Sequence, residues 1–277
     1  MICLYDNICR SSRKIFSFSL MILPSALFYD KIRKIVRKIL NTGGNIMLEA
    51  DLEAYLKQRG ASLVGFSDLR EKAPTEFPHL HFAVTIVRKL SDAVVTTIDG
   101  KPTLSYFQHY RITNTKLDLL ALSAVDYIEA LGYDALPIAA SQSTNTDKEA
   151  YRGIFPHKTA AVLAGLGFIG KNGLLITKEY GSKIRLVTIL TDMPLTPQEP
   201  IIPEGCGSCE ICKNACPAGA IVGKNYEYGA PRDTILDARR CSEHMKTYKD
   251  IGRGAVCGIC MRVCPYNQKK SPSKTPS

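Results

Sequence analysis

The chain has 277 residues, 45% hydrophobic and 22% charged, which is material for one large or two smaller globular domains. No apolar run reaches the ~20 residues of a membrane-spanning helix, so no segment is a candidate transmembrane span. The formal charge of +10 sits at the ends: eight Lys/Arg against two Asp in residues 1–46, and three Lys in the last ten, leave the body near +1, which excludes a broad basic nucleic-acid face there.

Residues 1–46 support three readings. Arg13-Lys14 followed by an apolar run over 15–23 is patterned like a targeting signal, without a convincing cleavage site. Residues 31–40 place Ile32, Ile35, Val36, Ile39 and Leu40 on one face of a basic amphipathic helix. The third reading is a mis-set start, because Gly43-Gly44-Asn45-Ile46 is what a ribosome-binding sequence and spacer would encode. On that preferred reading the native chain opens at Met47, and 1–46 is an extension.

Residues 47–60 read as a helix, with Leu48, Leu52, Tyr55 and Leu56 on one face. Segments 61–66 and 81–87 read as strands. Residues 106–131 form a long helical pattern free of Pro and Gly and closed by Gly132, with Tyr106 and Tyr110 spaced to share a face and so candidates to line a cofactor pocket. A short strand over 135–139, a polar loop over 141–148 and a helix over 156–166 follow. Strands over 173–177 and 183–191 then lead through a Pro-rich linker to the cysteines.

The helix over 156–166 runs into GLGFIGKN, residues 165–172. Gly165, Gly167 and Gly170 satisfy G-x-G-x-x-G, and Gly170-Lys171 completes G-x-x-x-x-G-K, with Asn172 where a phosphate loop needs Ser or Thr. Both nucleotide loops leave a strand and open a helix, so that phosphate meets a helix N-terminus. Here a helix ends and a strand begins, which predicts a helix C-cap and a tight turn whose backbone approaches another group closely. Lys171 and Asn172 stay candidates for cofactor contact. His157, at the start of the preceding helix, and Asp147 are weak candidates for proton donation.

Eight of the ten cysteines lie between Cys206 and Cys264. Cys206, Cys209, Cys212 and Cys216-Pro217 have the spacing of the bacterial ferredoxin run. Cys257, Cys260 and Cys264-Pro265 repeat its second half, with Cys241 between. In such runs the fourth cysteine ligates the other cluster. The spacing therefore predicts two [4Fe–4S] clusters: one on Cys206, Cys209, Cys212 and Cys264, the other on Cys216, Cys241, Cys257 and Cys260. Structural zinc prefers paired C-x2-C with four ligands and gives the triple run no role. Reduced thiols and oxygen-labile clusters point to the cytoplasm.

Taken in order, GLGFIGKNGLLI, EYGSKIRLVTILTDMPL, CGSCEICKNACPAGAI, LDARRCSEHM and CGICMRVCPYN resemble epoxyqueuosine reductase over about residues 105–267. The resemblance implies an oxidoreductase that uses cobalamin and two [4Fe–4S] clusters on a modified tRNA base, and kinship with corrinoid-dependent reductive dehalogenases. It implies that the glycine loop lies beside the corrinoid and that Cys241 is a cluster ligand. It puts the family's catalytic Asp at Tyr151. A helical-repeat module follows CPYN in the family, whereas ten residues follow Asn267 here, so tRNA is not the expected partner.

The expected fold is α+β or α/β. A corrinoid-type α/β sandwich over 47–198 is followed by a bacterial ferredoxin-like double-cluster domain over 199–267 and a basic tail over 268–277. The expected function is an iron–sulfur oxidoreductase passing electrons from the clusters to a corrinoid-type cofactor and substrate, fed by a flavodoxin or ferredoxin. The alternatives are a ferredoxin-like electron carrier or adaptor without corrinoid, and a reductive dehalogenase relative.

Overall fold

The computed structural model describes residues 45–70, 76–143, 151–198, 205–251 and 256–268. The readings made of residues 1–44, of Asp147 and of the tail from 269 lie outside the described residues.

The elements are α1 (Asn45–Gln58), β1 (Leu63–Asp68), β2 (Phe82–Lys89), α2 (Asp92–Val95), α3 (Leu104–Ala130), β3 (Ala135–Ile138), α4 (His157–Leu163), β4 (Phe168–Ile169), β5 (Leu175–Ile176) and β6 (Ile184–Thr191), followed in the cysteine region by α5 (Ile211–Asn214), α6 (Ala238–Met245) and α7 (Ile259–Arg262). The main sheet has the order β1-β2-β6-β3, and each neighbouring pair is antiparallel. Of the two expected classes the sheet is therefore α+β. β2 and β3, each antiparallel to β6, run parallel to one another and are joined by a crossover through α3, with β6 inserted between them.

Helices cover both faces of the sheet. Val84 and Ile86 of β2, with Val187 and Ile189 of β6, pack on Leu52 and Leu56 of α1 and on Leu117, Leu120, Ala124 and Ile128 of α3. Ala83, Val87, Leu186 and Leu190 face α4 through Ala160, Ala161 and Val162. Burial on both faces explains why FAVTIV and LVTIL read as apolar runs, each interrupted by one buried threonine, without alternation. Each of the fully buried Leu and Ile side chains contributes about 1.5–3 kcal/mol.

α3 starts where the Thr103 hydroxyl accepts the Tyr106 N–H at 3.2 Å, a side-chain N-cap. It ends at Gly132, whose positive φ of 86° turns the chain into β3. β3 covers only part of the edge of β6, pairing Ala135 with Thr191 through Ile138 with Thr188. The Ile184–Val187 stretch of that edge has no strand beside it, and the principal cavity opens there.

Candidate metal centre and adjoining cavity

α4 closes in a Schellman motif. The Gly165 N–H donates to the Val162 carbonyl at 3.0 Å and the Leu166 N–H to the Ala161 carbonyl at 3.0 Å, with Gly165 at φ 66°. The chain then forms β4, turns through Gly170–Leu174 and returns as β5. Gly167 is the tightest point: a Cβ there would lie 2.1 Å from the Ile176 carbonyl oxygen. The helix-to-strand order is the one read from the sequence. What this backbone approaches is β5 and the thiols. The Lys171 N–H points at Cys206 Sγ, 3.5 Å away, and Asn172 Nδ2 reaches the Cys260 carbonyl at 3.4 Å.

The structure brings the eight thiols into two adjacent groups. Cys206, Cys209, Cys212 and Cys264 ring one small cavity together with Asn172, Ile176, Pro265 and Tyr266. Burial pushes the Cys212 thiol up to about 11, helped by Cys206, Cys264 and Cys209. In the other group, burial pushes Cys241 up to about 11, with Cys257 and Cys216 adding to it. Cys260 is raised further, by burial and then by Cys257 and Cys241. Thiols this crowded cannot all ionise unless a cation replaces their protons, and soft thiolate sets of four are the ligands that iron–sulfur cores take. Among the described residues, no three His, Cys, Asp or Glu side chains form a single-ion site. The sulfurs surround a space instead.

Donors aim at these sulfurs. Besides Lys171, the Ala220 N–H lies 3.4 Å from Cys216 Sγ. Such donors orient thiolate ligands and tune cluster potentials. Ser182 lies beside Cys264, its hydroxyl donating to Asn267 Oδ1 at 3.2 Å, and Tyr248 lies beside Cys257, its hydroxyl 3.0 Å from His244 Nε2.

A second, far larger cavity of about 950 Å³ lies between the start of α4, the uncovered edge of β6, the turn at Gly173–Leu175 and residues 226–232. Ile169, Leu174, Leu175 and Leu186 give it an apolar wall. Two residues connect it to the thiols. Leu174 lines the cavity and packs in the same apolar cluster as Cys257, while Ser182 lines the cavity and lies beside Cys264.

None of Gly165, Gly167, Gly170, Lys171 and Asn172 lines this cavity, nor do Tyr106 and Tyr110. Tyr110 stands at its edge, its hydroxyl 3.4 Å from Ser141 Oγ and its ring beneath the Arg185 guanidinium at 4.3 Å. Tyr106 is buried against Gly258, where a Cβ would come within 2.8 Å of its ring. His157 lines the cavity, but both ring nitrogens are engaged: Nε2 with the Ala139 carbonyl at 3.0 Å and Nδ1 with Thr188 Oγ1 at 2.9 Å. The carbonyl only accepts, so Nε2 carries the proton and Nδ1 accepts from the hydroxyl. Burial lowers this imidazole to about 4, keeping it neutral. These bonds give His157 a positioning role, tying α4 to β3 and β6.

Tyr151 lines the cavity in a left-handed conformation, φ 65°, rare for a side chain of its size. Arg232 Nη1 donates to its carbonyl at 2.6 Å, and its hydroxyl donates to Glu243 at 3.2 Å. Lys158, Arg185 and Arg232 also line the cavity. Sequence reasoning missed all three. The available signal was Arg185, a charge within a strand otherwise buried on both faces.

Residues 205–267 match the family described as a 4Fe–4S double cluster binding domain. Over 120 residues, 39% of this chain and 31% of the relative, the sequence is 38% identical to an epoxyqueuosine reductase of Lactococcus garvieae. Its aligned part spans about a third of the length of the curated relatives it matches (31% and 37% for two of them). Among solved structures, a catabolic reductive dehalogenase in complex with 3-bromo-4-hydroxybenzoic acid superposes with a TM-score of 0.60 at 23% identity, over 79% of this chain and 31% of that one. An epoxyqueuosine reductase with a modified tRNA-Tyr stem loop superposes with a TM-score of 0.54 at 24% identity, over 84% and 68%. The sequence matches establish homology to epoxyqueuosine reductases and an iron–sulfur region; the structural matches establish the fold.

Proposed function

We propose that this chain is an iron–sulfur oxidoreductase in which two [4Fe–4S] clusters deliver electrons to a ligand in the 950 Å³ cavity. Cys206, Cys209, Cys212 and Cys264 would hold one cluster, and Cys216, Cys241, Cys257 and Cys260 the other. Residues 47–198 supply the cavity's α+β frame and 199–267 the thiols. The observation that carries this reading is the double connection between cavity and thiols through Leu174 and Ser182. A cofactor seated in that cavity would share these two residues with the surroundings of the sulfurs.

The cofactor favoured is corrinoid. The cavity volume is at the upper end of the roughly 300–1,000 Å³ found for ligand sites, and its apolar wall and polar rim suit a flat macrocycle with amide edges. A bound corrinoid would supply low-potential two-electron chemistry at cobalt. The protein's own residues shape and dry the site: His157 fixes the floor, Leu174 and Leu175 exclude water, and Tyr151, held by Arg232 and Glu243, presents its ring to the cavity. A flavodoxin or ferredoxin is the expected electron donor and the cytoplasm the expected compartment.

Anaerobic titration of cluster-loaded protein with cobalamin, followed by absorbance, tests this reading. Stoichiometric binding, and reduction of the bound cobalt when the clusters are reduced, is the expected result. Reversible cluster reduction with no cobalamin binding would reject it and leave an electron carrier.

A further inference from the structure

The cavity carries positive charge that electron delivery does not use. Lys158, Arg185 and Arg232 all line it, and the described lining residues include no Asp or Glu. Arg232 is partnered by Asp233 at 3.0 Å and by the Tyr151 carbonyl. Lys158 and Arg185 have only neutral partners among the described residues: Nζ of Lys158 donates to the Gly173 carbonyl at 2.5 Å, and Arg185 donates to Asn114 Oδ1 at 2.9 Å and the Ala140 carbonyl at 3.1 Å. One carbonyl leaves two of the three ammonium protons of Lys158 without a partner among the described residues. A half-buried ammonium beside two guanidinium groups is costly unless an anion joins them. The lowering of Lys158 to about 8, by burial and then by Arg232 and Arg185, expresses that cost.

We propose that Lys158 and Arg185 form an anion subsite of the cavity, holding a carboxylate or phosphate group of its ligand. Lys158 approaches from α4 and Arg185 from the uncovered edge of β6, so the two converge from different elements. Their neutral partners fix them in place while leaving the charge unspent, which is how a site is preorganised for an anion. The inference rests on the reading that this cavity is the ligand site. The anion has two sources: the substrate, or the phosphodiester of a cobalamin tail.

Calorimetric titration of cluster-loaded protein with inorganic phosphate at low ionic strength tests it. Saturable binding is expected, and Lys158→Met and Arg185→Gln should each weaken it about tenfold, the worth of a hydrogen bond to a charged group. Lys178→Met, an exposed lysine outside the cavity, should leave it unchanged. Retained cluster absorbance identifies folded variants. A measurement on the unsubstituted protein needs none: phosphate should protect Lys158, and not Lys178, from trinitrobenzenesulfonate. Absence of saturable binding, affinity unchanged in both variants, or labelling of Lys158 indifferent to phosphate overturns the proposal. Displacement of phosphate by cobalamin but not by cobinamide, which lacks the phosphodiester, assigns the subsite to the cofactor; phosphate retained in the cobalamin complex assigns it to the substrate. Phosphate binding without cobalamin binding rejects the corrinoid and keeps the subsite, and the converse result does the opposite.

Discussion

Replacing Gly167 by Ala tests whether the glycine loop exists for close backbone packing. Gly167 has φ 153°, and an added Cβ would stand 2.1 Å from the Ile176 oxygen, 2.9 Å from its carbonyl carbon and 3.1 Å from Thr177 Cα. All three are backbone atoms, so no side-chain rotation relieves the clash. Strain at such a φ costs about 1–3 kcal/mol, and overpacking of a filled site costs about 1–3 kcal/mol more. The total is about 4 kcal/mol, or a fall in Tm of about 8–16 °C for a chain of this size. Gly100→Ala is the control. Its φ is 61° and nothing lies within 4 Å, so only the backbone penalty of about 1 kcal/mol applies. Thermal unfolding under anaerobic conditions, followed by circular dichroism, reads both. Equal small shifts for the two variants would refute the packing argument.

Three further outcomes follow from the site. His157 is held near 4 when folded against an ordinary value of 6.5, so it favours the folded state at pH 7 and loses that contribution as pH falls from 6.5 toward 4. The loss is about 3 kcal/mol, and urea titrations across that range should show His157→Gln with a flatter pH dependence than the parent. Lys158 is lowered from 10.5 to about 8, so its cost is absent above 10.5 and complete below 8. Lys158→Met should therefore raise stability at pH 7 by about 2 kcal/mol, discounted for the part of the side chain open to the cavity; an unchanged urea midpoint would contradict the uncompensated charge. Cys241→Ser should leave one thiol set intact, lowering iron from about eight to about four per chain by elemental analysis.

Local patterns were legible where local rules decide. α3 shows in the sequence because twenty-six residues without Pro or Gly end at Gly132, and it runs Leu104–Ala130 in the structure. The helix-to-strand order around Gly165–Gly170 was legible for the same reason. β4 was not, because two residues between glycines carry no period. The sheet order was not either: pairing Val84 with Ile189 joins residues about a hundred apart, and nothing local encodes that choice. The thiols were the clearest signal, since their spacing is itself the ligand geometry. The cavity was the least legible feature. Its walls come from 138–143, 151–159, 173–175 and 226–235, and the charges of Lys158 and Arg185 meet only after folding. The sequence shows His157 as a titratable side chain but not the two partners that occupy it.

Iron and acid-labile sulfide, counted per chain in anaerobically purified protein and paired with electron paramagnetic resonance after reduction, bear most directly on the central claim. About eight iron with about eight sulfide, and the signals of two interacting [4Fe–4S]⁺ centres, are the expected result. Zinc in place of iron, or iron without sulfide, would contradict it.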